Sequence, residues 1–199
     1  MNNTDICNLA LSYLGNQGIL SINDNTQTAR LCKTHYEHCR RIVLRSYTWG
    51  FAKKVEQLAQ VDEKVAGWGY VYAYPQKCLG IRFIFPEELA RVKSAKRSEF
   101  ETVCLSDDTQ GIATDVQNAW CEYTYDLTNA ERFSEEFIEA LARLLASHMA
   151  IELTGNTNIQ ANNYQLYQVA LNSAKLAVAQ EVQQKPRWPL KYANARFSD

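Results

Sequence analysis

The chain has 199 residues, of which 46% are hydrophobic and 22% are charged, and these are the proportions of a globular protein with a sizeable core. Its 21 basic and 22 acidic residues nearly cancel, so no overall field draws the protein to nucleic acid or to an anionic membrane. No apolar run approaches the ~20 residues of a membrane span, and the first residues lack the pattern of an export leader. We therefore expect a protein that is made and kept in the cytoplasm.

Two helices are predicted near the start of the chain. Thr4 is a suitable N-cap for a short first helix that ends at Gly15. A long second helix is predicted from its N-cap Asp24 to the Trp-Gly-Phe sequence around Gly50. Residues at spacings of three and four form a seam along this helix: Ala29, Cys32, Tyr36, Cys39 and Val43. We expect this seam to pack against partner helices.

The middle of the chain, residues 55–126, has the period-2 alternation of strands. The predicted strands cover residues 68–74, 79–85, 100–105 and 119–125, with a short one at Ile112. They are short and separated by turns, so we expect an antiparallel arrangement rather than a parallel sheet, which requires crossover helices.

Helical periodicity returns after the strands. Ser134 is the predicted N-cap of a third helix that Gly155 ends, and a fourth helix with an alanine-rich stripe is predicted from about Ile159 to Val182. The predicted fold is therefore α+β, mainly α: a four-helix bundle interrupted by a small antiparallel β-rich insertion, with an extended C-terminal tail. The predicted units are residues 1–54 (helices 1 and 2), 55–126 (the insertion), 127–183 (helices 3 and 4) and 184–199 (the tail).

The tail combines prolines, which oppose helix, with aromatic and basic residues, and it has no core of its own. We predict that it is an interface with another protein or subunit, in which aromatic side chains are the anchors and cations pair with an acidic surface. The predicted interface residues are Lys185, Arg187, Trp188, Pro189, Leu190, Tyr192, Arg196 and Phe197.

A metal site is one interpretation of Cys32, His35, His38 and Cys39, because thiolates and imidazoles on one helix face are zinc ligands. The two cysteines lie in the packing seam, however, and His38 points about a third of a turn away. Small buried hydrophobic residues are the favoured interpretation of all six cysteines. They are Cys7, Cys32, Cys39, Cys78, Cys104 and Cys121.

No pattern in the sequence points to a catalytic site. The three histidines, His35, His38 and His148, lie in predicted helices whose periodicity accounts for them, and acidic pairs such as Glu87-Glu88 are adjacent in sequence and splay apart. No glycine cluster resembles a phosphate-binding loop. We expect no enzyme activity, no cofactor and no metal.

Two surface groups have alternative interpretations. A basic group on the second helix could contact DNA or an acidic partner, although a solvated helix face is the more common role. Its members are Arg30, Lys33, Arg40, Arg41 and Arg45. The alternating aromatic residues from Trp68 to Tyr74 could form a ligand platform or a subunit contact, although inward packing of a small sheet is more common.

Several packing motifs occur in an order that resembles a known family. They are Leu9-Ala10-Leu11-Ser12-Tyr13-Leu14-Gly15, Ile19-Leu20-Ser21-Ile22-Asn23-Asp24, the helical positions Ala29, Cys32, Tyr36, Arg40 and Leu44, Trp49-Gly50-Phe51-Ala52, Tyr72-Ala73-Tyr74-Pro75-Gln76-Lys77-Cys78-Leu79, and the Ala/Leu-rich stretch from Phe133 to Ala150. Together they resemble the tail tubular protein A family, the head-to-tail adaptors of short-tailed phages. The resemblance covers most of the chain outside the tail and the stretch from Pro86 to Ser106.

The resemblance implies a structural protein of the virion, assembled in the host bacterial cytoplasm. It implies a homo-oligomeric ring, a dodecamer, that binds the portal on one side and receives the tail nozzle on the other. DNA would pass through the ring during genome ejection without sequence-specific binding, and no membrane is involved. The tail would then become ordered against the portal or neighbouring subunits.

Two other functions are alternatives to the adaptor. Cell-wall hydrolysis has been attributed to a member of the wider adaptor family, so a peptidoglycan-hydrolysing, muramidase-like tail protein is the alternative, although no catalytic motif maps onto this chain. A DNA-binding accessory protein is the third, and the near-neutral charge opposes it.

Overall fold

The computed structural model describes residues 1–89 and 98–181. Four α-helices and six β-strands form these residues, with short 3₁₀ turns between some of them. In chain order they are α1 (Asn3–Ser12), α2 (Gln27–Arg45), β1 (Lys53–Gln57), β2 (Tyr70–Ala73), β3 (Cys78–Pro86), β4 (Phe100–Cys104), β5 (Gln110–Thr114), β6 (Ala119–Tyr125), α3 (Glu135–Thr154) and α4 (Thr157–Glu181).

Helix α1 begins two residues earlier than the sequence predicts. Its N-cap is Asn2 rather than Thr4, because Asn2 and Asp5 form a reciprocal capping box. The Asn2 side chain accepts the Asp5 N–H at 3.0 Å, and the Asp5 carboxylate accepts the Asn2 N–H at 2.8 Å. The helix ends at Ser12, with Tyr13 as its C-cap, and the predicted stop Gly15 lies two residues beyond that cap with a φ of 69°.

Helix α2 is shorter at both ends than predicted. Thr26 is its N-cap, while the Asp24 carboxylate closes the preceding turn by accepting the N–H groups of Leu20 and Ser21. The helix ends at Arg45 rather than at Gly50, because Trp49 turns back to donate its indole N–H to the Val43 carbonyl at 2.8 Å. The Val43 carbonyl, at the end of the helix, also accepts from the N–H and the hydroxyl of Ser46.

The predicted four-helix bundle in a mainly α protein is wrong. The protein is α+β, with about 47% helix, about 22% strand and two three-stranded antiparallel sheets. The helices do not form four equivalent members, because α3 is central and packs against α1, α2 and α4. Its buried residues surround the whole helix: Phe137, Ile138, Ala140, Leu141, Ala142, Leu144, Leu145, Ala146, Ser147, Met149 and Ala150. A helix that is apolar all round is a core helix.

The ends of α3 are as predicted. The Ser134 hydroxyl accepts the Phe137 N–H at 3.3 Å, and Gly155 adopts the left-handed conformation with a φ of 64°. Within the described part of the chain, no helix combines the length and the apolar character needed to cross a bilayer.

The strands form two separate sheets, with the orders β1-β6-β3 and β2-β5-β4, and all pairs are antiparallel as predicted. Strand β1 was not predicted, because its sequence KKVEQ is exposed along most of its length and lacks alternating apolar residues. It begins directly after the 3₁₀ turn Gly50–Ala52, and its first residue, Lys53, pairs with Thr124 of β6. This pairing brings the start and the end of the strand-rich region together.

Two hydrophobic cores result. The helical core includes all four helices and the aromatic group Trp49, Phe51, Phe133 and Phe137. The second core lies between the sheets and consists of Leu58, Tyr72, Ile84, Ile112, Ala119, Cys121 and Tyr123.

The interpretation of all six cysteines as buried residues is wrong in part. Four of them are buried, but Cys78 is only partly buried and Cys104 is exposed at the end of β4, an edge strand.

Candidate interaction surfaces

The predicted tail interface, Lys185 to Phe197, lies outside the described residues. The surfaces considered below therefore belong to the helices and sheets.

The predicted basic group on α2 is divided by burial. Arg40 is 0% exposed, so it cannot contact an external partner, whereas Arg30, Lys33, Arg41 and Arg45 are exposed. This burial was not predicted, because an arginine next to the apolar seam of a helix was expected to be solvent-exposed.

Arg40 joins α2 to the segment between β6 and α3. Its Nη1 atom lies 2.6 Å from the Asp126 carboxylate and donates to the Leu127 carbonyl, while Nη2 bonds to Glu37 at 2.5 Å. Burial alone would lower the pKa of Arg40, but its bonds to Glu37 and Asp126 raise that pKa above its usual value. The guanidinium therefore stays charged and has a structural role at this junction.

The aromatic residues around β2 do not form one platform. Tyr72 is buried and donates its hydroxyl to the Val116 carbonyl at 2.8 Å, and Tyr70 and Tyr74 pack against the same core. Trp68 is separate from them, since it lies half-exposed on the outer side and donates its indole N–H to Glu101 at 3.1 Å. Inward packing is therefore the role of Tyr72.

The three histidines converge, which sequence reasoning missed. His148 on α3 lies with its ring centroid 5.7 Å from that of His35 and 5.9 Å from that of His38, both on α2. The proposed cysteine and histidine set is split, because Cys32 points inward to Met149, with 3.7 Å between the sulfur atoms. Across residues 1–89 and 98–181, no three His, Cys, Asp or Glu side chains are arranged to hold a metal ion.

We expect acid to weaken the fold through His148. His148 is solvent-exposed, but partial desolvation where α2 and α4 pack around it, followed by the neighbouring His35 and His38, lowers its pKa below its usual value. The groups that α4 places beside it, Gln160 and Tyr164, carry no charge that could compensate. The stabilising contribution of neutral His148 is therefore complete above about pH 6.5 and is lost as the pH falls through its folded-state pKa.

The measurement is the free energy of unfolding of the parent and of His148→Gln at about pH 7.5 and about pH 5.5. The loss of stability on acidification should be smaller in His148→Gln, while the control Tyr164→Phe should lose as much as the parent. Equal losses in His148→Gln and the parent would contradict this role.

Helix α4 has an uncharged outer face, which the sequence analysis did not single out. Its buried stripe, which includes Tyr167, Leu171 and Ala174, faces α3. From Thr157 to Ala174 the helix carries no charged residue. On the outer face, three aliphatic side chains are exposed: Leu166 (37%), Val169 (63%) and Leu176 (66%). The available signal was the absence of charge over five turns, which is unusual for a solvated helix face.

No protein-family model matches the sequence, and a search of curated proteins finds no match.

Proposed function

We propose that this chain is one subunit of a head-to-tail adaptor ring, a dodecamer in the virion of a short-tailed phage. The ring joins the portal to the tail nozzle and surrounds the passage through which DNA leaves the capsid. Its activity is assembly rather than catalysis, without a cofactor and without sequence-specific DNA binding. The proposal is supported by the order of packing motifs that resembles this adaptor family.

The single observation that carries the proposal is the uncharged outer face of α4. Single exposed apolar residues are common on protein surfaces, but Leu166, Val169 and Leu176 recur along one side of α4, which carries no charged residue from Thr157 to Ala174. Interfaces are depleted of charged residues at their centres.

The contact has a defined symmetry. A closed ring requires that one face of each subunit contact a different face of the next. The outer face of α4 would therefore contact another surface of the neighbouring subunit rather than its own copy.

The first experiment is native mass spectrometry of the full chain, alone and mixed with the portal encoded by the same phage. A ring, or a ring bound to the portal with defined stoichiometry, is the expected result. A chain that remains monomeric and does not bind the portal would contradict the proposal, and cell-wall hydrolysis would be assayed next.

Val169→Lys with Leu176→Lys is expected to reduce ring formation by on the order of tenfold or more, because an unpaired ammonium group is unfavourable in a buried contact. The circular dichroism spectrum should not change, since both side chains are exposed. Gln168→Lys is the control for an added lysine as such, because it places one of the two charges on a different side of the same helix, and Val169→Lys alone is the variant that matches it. Equal ring formation by the double variant and the control would exclude this face as the lateral contact.

Deletion of residues 184–199 tests the tail. We expect the truncated chain to keep its fold, because both cores are already formed by residues of the described part of the chain, which ends at residue 181. Binding to the portal or to neighbouring subunits should weaken, and native mass spectrometry measures that loss. Unchanged assembly of the truncated chain would remove the tail from the interface.

A further inference from the structure

The loop between α1 and α2 exposes one leucine almost completely. Leu20 is 97% exposed, the highest value among the large hydrophobic residues within residues 1–89 and 98–181. Its neighbours in the chain are covered, since Ile19 is buried in the helical core and Ser21 is half-buried. In the isolated subunit the apolar surface of Leu20 stays in water, which is unfavourable. Contact with a partner would remove that surface from water.

Hydrogen bonds hold the backbone on both sides of Leu20. The Asn8 side chain donates its amide N–H to the Ile19 carbonyl at 3.0 Å and accepts the Ile19 N–H at 2.8 Å. The Asp24 carboxylate accepts the N–H groups of Leu20 and Ser21 at 3.1 Å and 2.9 Å. The loop is therefore ordered before any partner binds, and little backbone conformational entropy remains to be lost when Leu20 is covered.

The outer face of α4 presents a hole of the kind that accepts a leucine. Four residues at the spacing i, i+3, i+4 and i+7 surround one point of the helix surface: Val169, Asn172, Ser173 and Leu176. All four are exposed, on the side of α4 opposite its buried stripe. The two apolar side chains lie at the ends of this α4 hole, and the two short polar ones lie at its sides. In coiled coils, a leucine of the facing helix fills such a hole of four residues.

The loop and the α4 hole also agree in charge. Residues 16–23, around Leu20, include no charged residue, and neither do the four residues of the hole. Asp24, the next residue of the loop, is engaged with backbone N–H groups. Lys175 follows Ser173 in sequence by two residues, but the helical turn places it on the flank of α4, about 110° from the centre of the hole. Both surfaces therefore have the uncharged composition of an interface centre.

We propose that Leu20 of one copy of this chain inserts into the α4 hole of the neighbouring copy. The inference rests on the adaptor ring proposed above, and it supplies the second of the two different faces that a closed ring requires. The loop and the hole belong to different elements and share no residue, so one subunit can use both at the same time. A second copy is therefore the partner, because repetition of this one contact joins each subunit to the next.

A charge exchange tests the contact by native mass spectrometry, under the conditions in which the parent chain forms the ring. Leu20→Asp is expected to lower ring formation by about tenfold or more, because a carboxylate is unfavourable in an apolar contact. Val169→Lys alone should lower it as well. Together in one chain, the two substitutions place an aspartate beside a lysine at every junction, so ring formation should rise about fivefold or more above either single variant.

Val55→Asp with Val169→Lys is the matched control for the exchanged pair. It has the same net charge, but Val55 lies on β1, outside the proposed contact. The control should form no more ring than Val169→Lys alone. The circular dichroism spectrum of each variant should match that of the parent, because all three side chains are exposed.

Failure of this contact and failure of the ring give different results. A parent chain that forms no ring, alone or with the portal, would overturn the adaptor ring and this contact with it. A parent that forms the ring while Leu20→Asp forms it equally well would overturn only the contact. The contact would also be overturned if the exchanged pair formed no more ring than its control.

Discussion

Trp49→Ala is expected to lower the free energy of unfolding by about 3–5 kcal/mol, the range for removal of a buried aromatic side chain. Trp49 is 0% exposed and lies where α2 ends against the start of α3. Its ring packs edge-on against Phe137, with 5.1 Å between the centroids, and stacks against Phe51 at 5.8 Å. The indole N–H also closes the last turn of α2 through Val43. The substitution therefore leaves a cavity and removes one of the hydrogen bonds to the Val43 carbonyl, which Ser46 still contacts.

Chemical denaturation monitored by circular dichroism measures this loss. Trp49→Phe should cost less, because it keeps an aromatic ring and loses chiefly the bond to Val43. Trp68→Phe is the control for tryptophan replacement as such, since Trp68 is half-exposed and outside both cores. A loss of under about 1 kcal/mol for Trp49→Ala would mean that the aromatic group is not a principal part of the helical core.

Arg40→Met is expected to destabilise the protein by about 3–5 kcal/mol, because removal of one partner leaves the other charge of a buried pair without compensation. Of the cations within residues 1–89 and 98–181, Asp126 would keep only Arg41, an exposed one 3.1 Å away, and the Leu127 carbonyl would lose the Arg40 donor. The substitution would weaken the contact between α2 and the residues that directly follow β6.

The double variant Arg40→Met with Asp126→Leu distinguishes the pair from simple loss of packing. Replacement of both members of a buried pair by apolar residues is often close to neutral, so the double variant should recover much of the stability that the single variant loses. A double variant that is less stable than Arg40→Met alone would show that the two side chains act independently of each other.

Local signals predicted both ends of α3 and the bounds of β6, but not the start of α1 or either end of α2. Ser134 and Gly155 mark α3 because a cap and a left-handed glycine are determined by neighbouring backbone groups. Strand β6 was predicted at its observed bounds because Cys121 and Tyr123 alternate toward a core. Strand β1 was missed because a mostly exposed strand has no apolar period to detect.

The arrangement of the helices could not be predicted in the same way. Periodicity shows which side of a helix is apolar, but it does not show how many neighbours cover that helix, so the all-round burial of α3 was read as one member of a bundle. The burial of Arg40 and the clustering of the three histidines were not predicted for a related reason. The burial of Arg40 depends on Asp126, and the histidine cluster depends on contact between α2 and α3, which are distant in sequence.

The pairing of Lys53 with Thr124 in β1 and β6 has a consequence for how the protein folds. Helices α1 and α2 must find α3 across a strand-rich excursion, and the entropy lost on closing such a loop opposes that encounter. Once the sheet containing β1 and β6 forms, the two ends of the excursion are already adjacent, and the helices can meet as near neighbours. We therefore expect this sheet to belong to the folding nucleus, with the helical layer condensing onto it afterwards.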